Sequence, residues 1–300
     1  MNWLSDITIL CFAASYGVAL GLEFCRVVRK LPLNAWLSNG FTVAGITAHS
    51  IYLVELAREE SHTAGAGMIL SSWYDWCLLA AWWVAGAYVG LQLRRPKNHL
   101  GIFLLPLVLI LVGFALVADR HPFARETAAQ IWRSVHATAL LAGSVSVTLG
   151  FAAGVMYLVQ AYRLKHKLAS RGRFRLPPLE WLQRFNRETL WISIGCLLAG
   201  LLAGVVLNVR VGGSAGGGVA WSEPAVVASL VLLAWLVTVT LFELVYRPAR
   251  VGRKVAYLTL ASFLFLVLAL LLTLLSGHAT GATADAASAD DSFRQPGRIR

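Results

Sequence analysis

Charge is what this chain of 300 residues has least of: 14% of its positions are Asp, Glu, Lys or Arg, where an ordinary soluble domain carries about 25%. Acids are scarcer than bases, 15 against 26. Four cysteines are scattered singly, with no Cys-x-x-Cys and no Cys-x-x-Cys-His, which argues against thiol–disulfide chemistry and against a covalently attached haem on this chain. Cys11 and Cys25 lie on one helical stretch, about 21 Å apart at 1.5 Å per residue, and cannot bridge. No strand-like alternation, Gly-rich phosphate loop, Ser-His-Asp pattern, His-x-x-x-His or His-Glu-x-x-His is present. Hydrolytic, nucleotide-dependent and zinc-protease chemistries therefore have no foothold.

What is there is apolar. Hydrophobic residues make up 58% of the chain and the mean hydropathy is +0.66, the signature of a membrane protein. Runs of about 20 apolar residues match a hydrocarbon core about 30 Å thick, and eight of them stand near 6–25, 36–57, 70–92, 99–118, 134–161, 188–208, 223–246 and 254–276. Backbone groups inside lipid must be satisfied within the segment, so these spans predict an all-α, polytopic transmembrane bundle of about eight helices. Positive charge (Arg26, Arg29, Lys30) follows the first span instead of preceding it, which predicts a retained helix and not a cleaved leader.

The basic residues also orient the bundle. Segments 26–35, 93–98, 162–187 and 247–254 hold 18 of the 26 Lys and Arg, which places those connections inside and both termini on the outer face of the cell's inner membrane. A net charge of +11 is accounted for by topology and by anionic lipid headgroups of the bilayer, not by nucleic acid.

Three parts are expected: residues 1–130 with four spans, 131–278 with four more, and a polar tail, 279–300, too poor in apolar residues to fold. On the inner side, Pro177-Pro178 introduces a short amphipathic helix over Leu179–Phe185, expected to lie along the membrane surface. On the outer side, residues 209–224 carry five glycines within 212–218 and read as a flexible link, ending at Glu223-Pro224, a helix-entry pair. Gly17/Gly21, Gly86/Gly90, Gly150/Gly154 and Gly200/Gly204 allow close helix approach, expected within the chain more than between copies.

Chemistry rests on histidine. Of seven, His136 opens the fifth span and His278 closes the eighth, so both reach the outer layer; each alone could be an interfacial ring, but two at one depth form a good axial pair for haem iron. His49 lies deeper, followed by Tyr52 and Glu55, and reads as a hydrogen-bonded core residue or a third haem contact. Trp73, Tyr74 and Trp76 are an interfacial belt or an aromatic wall, with Asp75 as a helix-entry charge. Intramembrane acids are few and near helix ends (Glu23, Glu55, Glu243), which supports an ion-driven pump weakly.

The runs HATALLAGSVSVTLGFAAGVMYLVQAYRLKHK (136–167), LPPLEWLQRFNRETLWISIGCLLAGLLAGVV (176–206) and WSEPAVVASLVLLAWLVTVTLFELVY (221–246), continuing to His278, together resemble the cytochrome c assembly protein family over roughly 130–280. That resemblance implies non-covalent, b-type haem held by His136 and His278 beside Trp221, with Arg120, Arg125 and Arg133 available to the propionates. It also implies other maturation subunits and apocytochrome c as partners. The family's Trp-Gly-x-x-Trp-x-Trp-Asp-Pro stretch is reduced here to GGSAGGGVAWSEP, one tryptophan before Glu-Pro, which is more similar to the shorter branch associated with haem biosynthesis. A small-molecule permease subunit and a haem-free scaffold or regulator stand as alternatives; enzymatic catalysis is least supported.

Overall fold

The structure is a computed structural model, and it describes residues 9–28, 35–64, 72–94, 98–118, 120, 130–167, 174–215, 221–245 and 256–273. Eight helices occupy them: α1 (Ile9–Val28), α2 (Ala35–Ala64), α3 (Trp73–Arg94), α4 (Gly101–Val117), α5 (Gln130–Lys165), α6 (Leu179–Ala215), α7 (Pro224–Val245) and α8 (Ala256–Thr273). Among the described residues there is no strand. Six helices are long and apolar enough to cross a membrane, while α4 and the apolar stretch of α7 are shorter. The chain is a multi-pass helical membrane protein, each apolar run having become one helix.

Local chemistry sets several helix starts. Ser72 and Asp75 close a reciprocal cap on α3: the Ser72 backbone N–H donates to Asp75 Oδ2 at 2.9 Å and the Asp75 N–H donates to Ser72 Oγ at 3.2 Å. That is the capping-box arrangement, and it uses the acid foreseen as a helix-entry charge. At α7, the Val227 N–H donates to the Glu223 carbonyl at 3.0 Å, so Pro224 takes the first helical position, where its missing N–H costs nothing.

Two expected features merge into longer helices. Leu179–Phe185 is not a separate surface helix: α6 runs unbroken from Leu179 to Ala215, with Leu182 fully buried. Gly212 and Gly213 likewise belong to α6 and not to a loose link. At 36 and 37 residues, α5 and α6 each extend about 54 Å at 1.5 Å per residue, well beyond a hydrocarbon core about 30 Å thick. Helical hydrogen bonding carried past the membrane edge is cheaper than opening it where a neighbouring helix covers it.

Two apolar cores result. Phe12, Tyr16, Leu78, Val84, Tyr88, Leu104 and Leu105 from α1–α4 join Val145 and Met156 of α5 in the first. Val147, Leu197, Leu236, Val239 and Leu266 from α5–α8 make the second. At the arginine-rich end, the segment preceding α6 is strapped to the first core: the His99 N–H donates to the Arg175 carbonyl at 2.9 Å, and Arg163 Nη1 donates to the Phe174 carbonyl at 2.6 Å while its guanidinium sits 4.9 Å over the Phe174 ring.

The four Gly-x-x-x-Gly pairs divide. A Cβ on Gly150 would lie 3.0 Å from Thr189 Oγ1, one on Gly154 3.1 Å from Leu260 Cδ1, and one on Gly200 2.7 Å from Leu140 Cδ2. These pairs seat α5, α6 and α8 against one another. A Cβ on Gly17, Gly21 or Gly90 would meet no neighbour within 4 Å among the described residues.

Candidate functional site

His136 stands two turns into α5, and its ring is laid across α6. Nδ1 is 2.6 Å from the carbonyl oxygen of Gly200. A carbonyl only accepts, so Nδ1 carries the proton and donates, which leaves the lone pair on Nε2. A histidine whose one nitrogen is anchored to a backbone carbonyl, with the other free to coordinate, is the arrangement that orients metal-bound imidazoles.

The seat depends on glycine. A Cβ at Gly204 would come within 2.9 Å of both His136 Cε1 and Nδ1. The pair Gly200/Gly204 therefore has a definite use, one residue supplying the acceptor and the other the space. Sequence inspection marks the glycines and the histidine separately, because nothing in either motif declares that helices 64 residues apart in sequence will bring them together.

Around His136 the other candidates are distributed unequally. Arg133 lies one turn earlier on the same helix. Trp221 is 59% exposed just before α7, at the end of the bundle where α5 begins and α6 ends. Directly beyond it, α7 and α8 border an apolar cleft of about 280 Å³ lined by Val227, Val231, Phe265, Leu268 and Leu272, with Ser222 and Pro224 at its rim. This is smaller than the usual ligand pocket of about 300–1,000 Å³. His278, Arg125 and His121 lie outside the described residues.

Arg120 and His49 belong with the first four helices. The Arg120 guanidinium rests 4.5 Å over the Tyr74 ring. His49 is fully buried, stacked on Phe12 at 4.1 Å between ring centroids, with Tyr16 Oη 3.4 Å from its Nδ1. Its surroundings are α1 and α2, not the α5–α6 pair that holds His136. Tyr74 is also not an interfacial belt residue: it is buried and hydrogen-bonded to Tyr52. Trp73 and Trp76 pack near each other at the same helix start.

The fold and these positions define a class: a polytopic helical membrane protein with a backbone-anchored imidazole on α5 and an apolar cleft between α7 and α8. The family model described as "Cytochrome C assembly protein" matches residues 70–279. The chain belongs to that family and has a role in cytochrome c biogenesis. The match begins at residue 70, so it takes in α3 and α4, which by sequence alone add little to the likeness. Searches of curated proteins and of solved structures each returned no match.

Proposed function

We propose that this protein binds b-type haem non-covalently at the outer end of α5–α8, in the inner membrane, and handles it for c-type cytochrome maturation. The observation that carries the reading is the His136–Gly200 hydrogen bond at 2.6 Å, which fixes the tautomer with Nε2 available to iron. His278, five residues beyond the last described turn of α8, is the second axial ligand. His136 and His278 would hold the haem through their imidazoles, and the haem would supply a redox-active iron; the chain supplies orientation and an apolar surround.

The remaining candidates take supporting parts. The cleft beneath Trp221 receives an edge of the porphyrin, and the exposed indole covers a face of it. Arg133, one turn before His136 on α5, would pair with a propionate, and Arg120, which follows α4 and rests on the Tyr74 ring, is the second candidate cation. His49, sealed among α1 and α2, is not assigned to iron. A single tryptophan in the segment before α7, Trp221, offers a small presenting surface, which favours the shorter, haem-biosynthesis-associated branch of the family over direct delivery; maturation subunits then supply the contact with apocytochrome c.

The test is a visible spectrum of the protein purified in mild detergent from haem-replete cells. A low-spin Soret and sharp alpha band is expected, shifted or lost in His136→Ala and in His278→Ala. A haem spectrum indifferent to both substitutions would overturn the axial assignment, and no haem at all would overturn the reading.

A further inference from the structure

The first four helices contain something that the haem site does not use. On α1, Tyr16 and Glu23 share a face; on α2, Ser38, Thr42, His49 and Tyr52 share one; on α3, Tyr74, Tyr88 and Gln92 do. All but Tyr52 are buried, and Tyr16, Glu23, Ser38, Thr42, His49 and Tyr88 have no exposed surface at all. From Tyr74 to Gln92 is about 27 Å along α3 at 1.5 Å per residue, close to the full thickness of a hydrocarbon core of about 30 Å. Apolar side chains would pack there without desolvating polar groups, and ionisable residues inside a membrane protein mark conduction paths by default.

The members are in sequence. At the outer end Arg120 covers Tyr74, whose hydroxyl is bonded to that of Tyr52. Phe12 packs against both Tyr52 and His49, at 5.7 and 4.1 Å between ring centroids, and holds the two in place without itself carrying a proton. His49 Nδ1 meets Tyr16 Oη at 3.4 Å, and His49 Nε2 is buried with no hydrogen-bond partner among the described residues. The Tyr16 ring rests on Gly45, where a Cβ would be 2.9 Å away, one turn from Thr42. Ser38 and Thr42 spend their protons on backbone carbonyls at 3.2 and 2.9 Å, and the buried Tyr88 hydroxyl has no hydrogen-bond partner among the described residues. A Cβ on Gly101 would be 2.9 Å from both Tyr88 Oη and Glu23 Cγ, so these two groups converge. Glu23 then bonds Arg26 at 2.6 Å and His99 at 3.2 Å at the arginine-rich end.

We infer that α1–α4 form a proton pathway across the membrane, running from Tyr74 through Tyr52, His49, Tyr16 and Tyr88 to Glu23 and His99. Between Tyr52 and His49, and between Tyr16 and Tyr88, no hydrogen bond joins the side chains among the described residues, and the proton crosses each gap by way of an intervening water. Each hydroxyl or imidazole accepts one proton and releases its own to the next acceptor. Glu23 takes the proton as a neutral carboxyl and gives it to His99, which releases it at the basic face. One proton crosses and every group ends as it began.

The test uses the full-length protein in liposomes with an entrapped pH-sensitive dye and a potassium diffusion potential set by valinomycin. Proton flux faster than in protein-free vesicles is expected. Tyr16→Phe and Tyr52→Phe, which remove one oxygen each and keep the ring, should slow it about tenfold, equal to a barrier raised by about 1.4 kcal/mol, while Tyr257→Phe on an exposed face of α8 leaves it unchanged. Flux at the protein-free rate overturns the pathway; so do full flux in both column variants and an equal loss in Tyr257→Phe. Because the readout is proton flux and not a haem spectrum, its failure is separable from failure of the haem reading.

Discussion

Replacing Gly204 by alanine tests the His136 seat without touching the histidine. The new Cβ would stand 2.9 Å from His136 Cε1 and Nδ1, inside ordinary van der Waals contact, so the ring or α6 must move by about half an ångström or more. Three terms compete. Alanine gains about 1 kcal/mol over glycine inside a helix; the strained or broken Nδ1–H···O bond loses about 1 kcal/mol; overpacking of a filled contact costs about 1–3 kcal/mol. The last two exceed the first, for a net destabilisation of about 1–3 kcal/mol. Because Nε2 moves with the ring, haem affinity should fall about tenfold, the equivalent of about 1.4 kcal/mol. Thermal unfolding in detergent and a haem titration by absorbance measure both. A Gly204→Ala protein with unchanged haem affinity and midpoint would show that the seat does not hold the ring, and the tautomer argument would go with it.

Other outcomes follow from the same geometry. Gly17→Ala, where nothing lies within 4 Å, should stabilise by up to about 1 kcal/mol through helix propensity alone, read as a higher thermal midpoint. Arg26→Ala leaves the fully buried Glu23 carboxylate facing the His99 ring without its arginine, and should cost about 3–5 kcal/mol; the double replacement Glu23→Leu with Arg26→Leu should cost less than the single one in the same unfolding assay. Trp221→Ala, at an exposed position, should leave the midpoint within about 0.5 kcal/mol of unchanged while weakening haem retention on a desalting column.

Much of the fold was legible because the membrane enforces a simple code. Apolar length alone located all eight helices, since backbone groups in lipid leave no other option, and Ser72/Asp75 and Glu223-Pro224 announced two starts through cap chemistry. The ends of α6 were misjudged for a physical reason: Pro178 and the glycines at 212 and 213 are local stop or bend signals, and the packing of α5 along α6 outweighs them. For the site, His136 was legible as a polar residue at the door of an apolar run, but its partner was not. The Gly200 carbonyl is backbone, and a backbone acceptor leaves no mark in a sequence. The column in α1–α4 was hidden differently. Tyr16, Ser38, Thr42, Tyr88 and Glu23 are each unremarkable alone, and only the antiparallel stacking of three helices lines them up. A scan of the sequence therefore finds few intramembrane acids and no path, whereas Glu23 meets His99 from 76 residues away.

The claim most worth direct measurement is that His136 Nε2 binds iron. His136→Gly leaves a hole the size of an imidazole beside Gly200 and Gly204, which free imidazole in the buffer can fill. Absorbance and low-temperature electron paramagnetic resonance of the haem-loaded variant should show a high-spin or vacant-ligand signal that returns to the wild-type low-spin signal as imidazole is added. A low-spin signal in His136→Gly identical to wild type, before any imidazole is present, would contradict the account.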